Sequence, residues 1–144
     1  MKDGPIRDKE IVIMMKTISE EMQRRNDRFL KEFDLTFSQG RVLKIVYDES
    51  GKVTQKDIED ILFVSHPATR GIIKRLEEKG YIFTATDKED KRHKVLFITD
   101  DGKAKVEAIE SSVSKEKTPF DDIDDGDRED FKRILRKIIA NIKQ

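Results

Sequence analysis

TQKDIEDILFVSHPATRGIIKRLEEKGYIFTATDKEDKRHKVLFIT, residues 54–99, is the stretch whose reading decides the fold. Thr54 stands where a helix N-cap belongs, and Asp57 three residues on completes a variant capping box. The short helix it opens carries Ile58, Ile61 and Leu62 as its inward set. Phe63-Val64 is a tight turn and Ser65 the next N-cap. Pro67 falls in the first helical turn, where its missing N–H costs nothing. Ile72, Ile73 and Leu76 give this second helix a buried face, and Gly80 supplies a left-handed stop after Lys79. Helix, tight turn, helix and glycine stop is the helix-turn-helix order.

Tyr81–Thr84 and Val95–Ile98 are rich in β-branched and aromatic residues and read as strands. The loop between them, Asp87-Lys88-Glu89-Asp90-Lys91-Arg92-His93-Lys94, is almost wholly charged. Two short strands with a charged tip, directly after a helix-turn-helix, make a wing.

Outward from this unit the pattern is helical. Ile11, Met14, Met15, Ile18, Met22, Phe29, Leu30 and Phe33 recur at spacings of three and four through much of residues 9–33, one long amphipathic helix. Arg24–Arg28 interrupts the stripe and reads as a solvated turn of that helix. Asp34-Leu35-Thr36 breaks it, and a second helix runs from Ser38 through Asp48 with Val42, Leu43, Ile45 and Val46 inward. Val53 is placed to pair briefly in a sheet. Beyond the wing, Thr99 opens a helix with Asp100 and Asp101 against its N-terminal dipole. Ala104, Val106, Ala108, Ile109 and Val113 are its apolar positions, and Thr118-Pro119 is its expected end. Phe131, Ile134, Leu135, Ile138, Ile139 and Ile142 make a continuous stripe on a last helix from about Gly126 to Ile142.

The chain is thus expected to be mainly α with a small β-hairpin wing. Residues 35–99 form the winged helix-turn-helix, and residues 1–34 and 100–144 form a helical dimerisation region. The first and last helices carry wide apolar faces. A two-fold copy is the simplest cover for what their own chain leaves open.

The 144 residues suit one domain. Thirty basic and thirty acidic residues cancel to a formal charge of zero, so any nucleic-acid site must come from local charge. With 35% hydrophobic and 42% charged residues, the core is lean and the surface heavily solvated. The absence of cysteine removes disulfides, thiol sensing and cysteine-ligated zinc. No apolar run approaches the roughly 18 residues of a membrane span, and Met1–Pro5 lacks the apolar core of a signal peptide. A cytoplasmic protein without membrane contact is expected.

Two constellations point to double-stranded DNA. The start of the second helix of the motif offers Ser65, His66, Pro67, Thr69 and Arg70 at the position that meets base edges in the major groove, with Lys74 one turn on for a phosphate. Arg70 suits a guanine edge or a phosphate equally. At the wing, Lys91, Arg92, His93 and Lys94 form a local basic cluster, and a flexible arginine there suits the minor groove. Asp87 and Asp90 are expected to hold the loop and orient Arg92.

Catalytic readings fail. Only His66 and His93 are present, and neither has a companion at ligand spacing. Ser112-x-x-Lys115 and Ser114-x-x-Lys117 have no supporting motif. Asp121–Asp127 puts Gly126 at the sixth place of a calcium loop, but Ile123 and Lys132 stand at ligand positions. The run is instead an acidic entrance to the last helix, and no metal or cofactor is expected.

The ordered set Leu35-Thr36-x-x-Gln39-x-x-Val42-Leu43, Thr69-Arg70, Leu76-Glu77-x-Lys79-Gly80-Tyr81-Ile82, Asp87-x-x-Asp90-x-Arg92 and Ile98-Thr99-x-x-Gly102 resembles the multiple-antibiotic-resistance regulator (MarR) family. The similarity covers nearly the whole chain, and the segment around Phe29–Gln39 looks most like the family's multidrug-efflux repressors. The resemblance implies a homodimer with interlocked terminal helices and two lobes reading a palindromic operator, usually a repressor released by a small ligand. By position, Asp90 and Arg92 would be the wing's structural acid and minor-groove base. Thr84-Ala85-Thr86 departs from the arginine that the family often carries just after the first wing strand. The lack of cysteine excludes the peroxide-sensing branch. Met14, Met15, Ile18, Phe29, Phe33 and Phe37 read either as the lining of a pocket for a small lipophilic effector, since methionine adapts to varied ligands, or simply as core or dimer contact. The competing function is a winged-helix protein-interaction module that leaves DNA alone, favoured by the neutral charge and the acids of the wing.

Overall fold

A computed structural model describes residues 7–113 and 117–143. The reading of Met1–Pro5, and Ser114 and Lys115 of the serine–lysine pairs, fall outside them. Among the described residues the order is α1 (Lys9–Lys31), α2 (Phe37–Asp48), α3 (Gln55–Leu62), α4 (His66–Glu78), β1 (Ile82–Thr86), β2 (Lys94–Ile98), α5 (Asp100–Ser111) and α6 (Asp125–Ile142). The chain divides into two compact units, one ending at Ser112 and the other beginning at Val113.

Each helix of the first unit after α1 starts where a hydroxyl can accept a backbone N–H. Thr36 and Gln39 exchange hydrogen bonds as a capping box on α2, and Thr54 and Asp57 do so on α3. Ser65 accepts from the Ala68 N–H on α4, and Thr99 from the Gly102 N–H on α5. These bonds satisfy donors that a helix start leaves without internal partners.

The core gathers on α2: Val42, Leu43 and Val46 are fully buried and pack with Leu35, Ile58, Ile73, Leu76, Ile82, Leu96 and Val106. β1 and β2 pair antiparallel with Ile82 opposite Ile98 and Thr86 opposite Lys94. Val53 adds one rung, its carbonyl accepting from the Leu96 N–H at 2.8 Å. Gly80 ends α4 at φ 79, and Phe63 ends α3 at φ 54, a left-handed residue that carries a side chain.

Four expectations are corrected. Ile61 points outward and is 53% exposed, because on an eight-residue helix only Ile58 sits squarely over the core. Helix α5 stops at Ser111, well before Thr118-Pro119. Of its apolar positions Val106 is buried and Ile109 half-buried, while Ala104, Ala108 and Val113 are exposed. The Arg24–Arg28 turn is not merely solvated, since the Asp27 carboxylate accepts the Phe37 backbone N–H at 2.9 Å and ties α1 to the start of α2.

In the second unit, the acids of the Asp121–Asp127 run cap backbone. Asp121 accepts from the Thr118 N–H at 2.9 Å, and Asp124 accepts from Asp127 at the start of α6 at 2.8 Å. The Arg128 guanidinium donates to the carbonyls of Ile123 and Phe120.

Among the described glycines, the closest approach to backbone lies behind the wing. A Cβ on Gly102 would stand 2.1 Å from the Tyr81 carbonyl oxygen. Gly102→Ala is therefore expected to destabilise by about 1–3 kcal/mol or more, as overpacking does. Thr99→Ala should cost about 1 kcal/mol as a lost cap. Urea denaturation with an unchanged slope and a lowered midpoint checks both.

Candidate nucleic-acid interface

The start of α4 is locked to α3 by side chains. The His66 ring nitrogen Nδ1 lies 2.8 Å from the Glu59 carboxylate. The Gln55 amide donates to the same carboxylate at 3.0 Å and to the His66 carbonyl at 3.3 Å. Burial alone would push the Glu59 carboxyl up. Hydrogen bonds from His66 and Gln55, and the charges of His66 and Lys56, outweigh burial and hold it below the ordinary carboxylate value. Sequence reading missed Gln55 and Glu59. Their signal was the (i, i+4) pair that puts both on one face of α3.

The expected contact residues separate into three groups. Thr69 is fully buried, and its hydroxyl donates to the Ser65 carbonyl at 2.9 Å. It cannot reach a base, because it shares the core face with Ile73 and Leu76 at helical spacing. Ser65, His66, Pro67, Arg70 and Lys74 are exposed. The Ser65 hydroxyl accepts at the cap and His66 engages Glu59 through Nδ1, which leaves the Ser65 O–H, the His66 Nε2, Arg70 and Lys74 for further hydrogen bonds on this face.

Lys94 is the first residue of β2 rather than part of the wing tip. A groove between α4 and the sheet is lined by Gln55, Arg70, Lys74, Glu77, Thr84 and Lys94, with Leu96 at its floor. Among the described residues, Arg70, Lys74 and Lys94 take part in no ion pair, and three cations share one concave surface on a chain with no net charge. Glu77 is turned toward the sheet, where it accepts from the Thr84 hydroxyl at 3.4 Å.

The wing tip is organised by its acids. The Asp90 carboxylate accepts from the Arg92 backbone N–H at 3.0 Å and from the Arg92 guanidinium at 3.2 and 3.4 Å, and it lies 3.4 Å from the His93 ring. Asp87 accepts from the Glu89 N–H at 3.0 Å, and its own N–H donates to the His93 carbonyl at 2.8 Å. Arg92 remains 90% exposed although its guanidinium is tied to Asp90. Lys91 is exposed beside it.

The six residues expected to line an effector pocket are not brought together within one chain. Met14, Met15 and Ile18 lie exposed on the first half of α1. Phe29 and Phe33 meet edge to face, 5.6 Å between centroids, at its end, and Phe37 lies under the Arg41 guanidinium at 5.3 Å. Met14 and Phe29 stand fifteen residues apart on one helix, about 22 Å at the α-helical rise. The cleft that does exist at the α1–α2 junction is polar, lined by Gln23, Asp27, Lys31, Leu35, Thr36 and Ser38.

A helix-turn-helix whose second helix is presented beside a two-stranded hairpin defines the winged-helix class of DNA-binding protein. Residues 33–93 match the profile of the MarR family. The chain is 30% identical to the protein in the crystal structure of the S. aureus MepR–DNA complex, with a TM-score of 0.78 over 90% of this chain and 94% of that one. It belongs to the MarR family. A MarR protein from Peptoclostridium difficile has a TM-score of 0.79 and 26% identity, covering 92% of this chain and 86% of that one. The HTH-type transcriptional regulator SarZ of Staphylococcus haemolyticus is 25% identical over 135 residues, 92% of this chain and 88% of the relative.

The family motif residues acquire physical roles here. Leu35 and Leu76 are core, Thr36 and Gln39 cap α2, and Lys79 donates to the Asp34 carbonyl between them. Hydrogen bonds from the Arg92 side chain and backbone hold the Asp90 carboxyl below its ordinary value of 3.8. A lowered folded value means the tie is intact above the ordinary aspartate range and is lost as pH falls through the depressed value. In a His93→Gln background, the Arg92 Nε–H resonance should stay constant from about pH 7 to 5 and move only below about pH 4. A shift centred near neutrality would contradict the Asp90 tie.

Proposed function

We propose that this MarR-family regulator works as a homodimer that reads a palindromic operator in the cytoplasm and represses transcription until a small lipophilic molecule releases it. The observation that carries the DNA reading is the cation set of Arg70, Lys74 and Lys94, which among the described residues takes part in no ion pair, in the groove beside α4, next to a solvent-exposed wing arginine oriented by Asp90. Its work is binding rather than catalysis. The N-terminal part of α4 enters the major groove, with Ser65, His66 and Arg70 nearest the bases, and Arg92 reaches the flanking minor groove. Lys74, Lys91, His93 and Lys94 meet phosphates.

The homodimer is supported by apolar surface that a lone chain leaves in water. Ile11, Val12, Ile13, Met14, Met15 and Ile18 of α1 are 42–60% exposed, and α6 exposes Phe131, Ile134, Ile139 and Ile142. No residue of either helix is buried. The division of labour follows: residues 35–99 read DNA while residues 1–34 and 100–144 dimerise. An effector belongs to the same surface, since Met14, Met15 and Ile18 line an enclosed space only once a second copy covers them.

A protein-interaction role without DNA loses one of its two supports. Asp87 and Asp90, which made the wing look hostile to DNA, spend their oxygens on the loop's own donors.

Binding to the duplex selected from a random-sequence pool should be sub-micromolar and fall steeply with salt. Arg70→Ala and Arg92→Ala should each weaken it by about 10-fold or more. Unchanged affinity across salt concentrations would remove the assigned contact. Ile18→Asp should shift sedimentation from dimer toward monomer and weaken operator binding with it. A variant that sediments as wild type would place the dimer contact elsewhere.

A further inference from the structure

Among the described glycines, Gly71 alone has no reason inside the chain. A Cβ on Gly40 would meet Leu30 at 2.8 Å, and one on Gly126 would meet the Asp124 cap at 3.3 Å. Gly102 abuts the Tyr81 carbonyl, and Gly51 and Gly80 hold positive φ. A Cβ on Gly71 would meet nothing within 4 Å, and its backbone is that of a helix interior, where glycine is weaker than alanine. The cost has no return within this molecule.

Its position says where the return lies. Thr69, Ile73 and Leu76 form the buried face of α4. Pro67, Gly71 and Lys74, at (i, i+4) and (i, i+3) spacing, form the exposed ridge opposite. Arg70 and Lys74 flank Gly71, whereas Glu77 and Glu78 stand at the C-terminal end of the helix. The helix is therefore cationic around Gly71, while Arg75 and Lys79 balance the two acids at its C-terminal end. An α-helix with side chains is about 10–12 Å across and the B-DNA major groove about 12 Å wide. The fit is close enough that one side chain on the outermost ridge sets how far the axis can sink.

We propose that Gly71 is the depth-setting residue of the DNA interface, the point where the α4 backbone comes closest to the duplex. The missing side chain lets the helix enter far enough for Ser65, His66 and Arg70 to meet base edges. The inference rests on the DNA-binding reading above and adds that base recognition depends on a bare helix surface at this position.

The test compares wild type, Gly71→Ala and Gly71→Leu, using the duplex that wild type selects from a random-sequence pool and an unselected duplex at low salt. Gly71→Ala should melt higher by about 2–5 °C yet bind the selected duplex more weakly. Gly71→Leu should bind it about 10-fold more weakly or worse. Binding to the unselected duplex, carried by phosphate contacts, should change far less. Both variants should remain dimers by sedimentation with unchanged circular dichroism. Equal affinity of Gly71→Leu and wild type for the selected duplex overturns the inference and leaves the DNA reading standing. Loss of the dimer in either variant also overturns it, because Gly71 would then face a second copy. If wild type selects no duplex at all, the DNA reading and the inference fall together.

Discussion

The approach of Gly102 to the Tyr81 carbonyl is the constraint on which the working surface depends. Thr99 donates its backbone N–H to the Tyr81 carbonyl at 3.0 Å and its hydroxyl to the Gly80 carbonyl at 2.7 Å, and then caps α5. One residue thereby fixes the end of α4, the exit of the wing and the start of α5. The left-handed turn at Gly80 sets the direction in which β1 leaves, and the angle between α4 and the sheet follows from it. That angle shapes the groove that brings Arg70 and Lys74 of α4 near Lys94 of β2.

Neutral net charge makes local pairing the deciding electrostatic quantity. Many cations of the chain are spent: Lys44 on Asp48 and Glu110, Lys56 on Asp60, Lys132 on Glu129. Acids in the wing and on α3 are spent in the same way, on backbone N–H groups and on the residues that open α4. In the groove beside α4, the cations Arg70, Lys74 and Lys94 outnumber the single acid, Glu77. A surface of several uncompensated cations acts on a polyanion even when the sum over the whole chain is zero.

Much of this was legible beforehand, residue by residue. Thr54, Ser65, Thr99 and Gly80 announce helix starts and a stop because a cap needs a particular side chain, or none, at one place. The wing was legible from β-branched and aromatic runs around a charged loop, with each strand offset by one or two residues from its observed bounds. Thr69 was misread as a base contact although its spacing from Ile73 and Leu76 places it on the core face. Ile61 was misread because a short helix covers the core with a single row. The six residues expected around an effector are not gathered by one chain, because chemical type says nothing about distance: Met14 and Phe29 are both apolar and adaptable, and they lie near opposite ends of α1.

Local sequence alone determined the caps, the turn residues, the alternation of helix and hairpin and the motif order that marks the family, since each depends on neighbours a few positions away. Tertiary structure decided which cations share a groove, which acids are already engaged and which hydroxyl is buried. These follow from the packing of α4 against α3 and the sheet, among residues that lie far apart along the chain, such as Gln55, Arg70 and Lys94. Pairing of charges is a property of distance in space, and only the folded chain sets that distance.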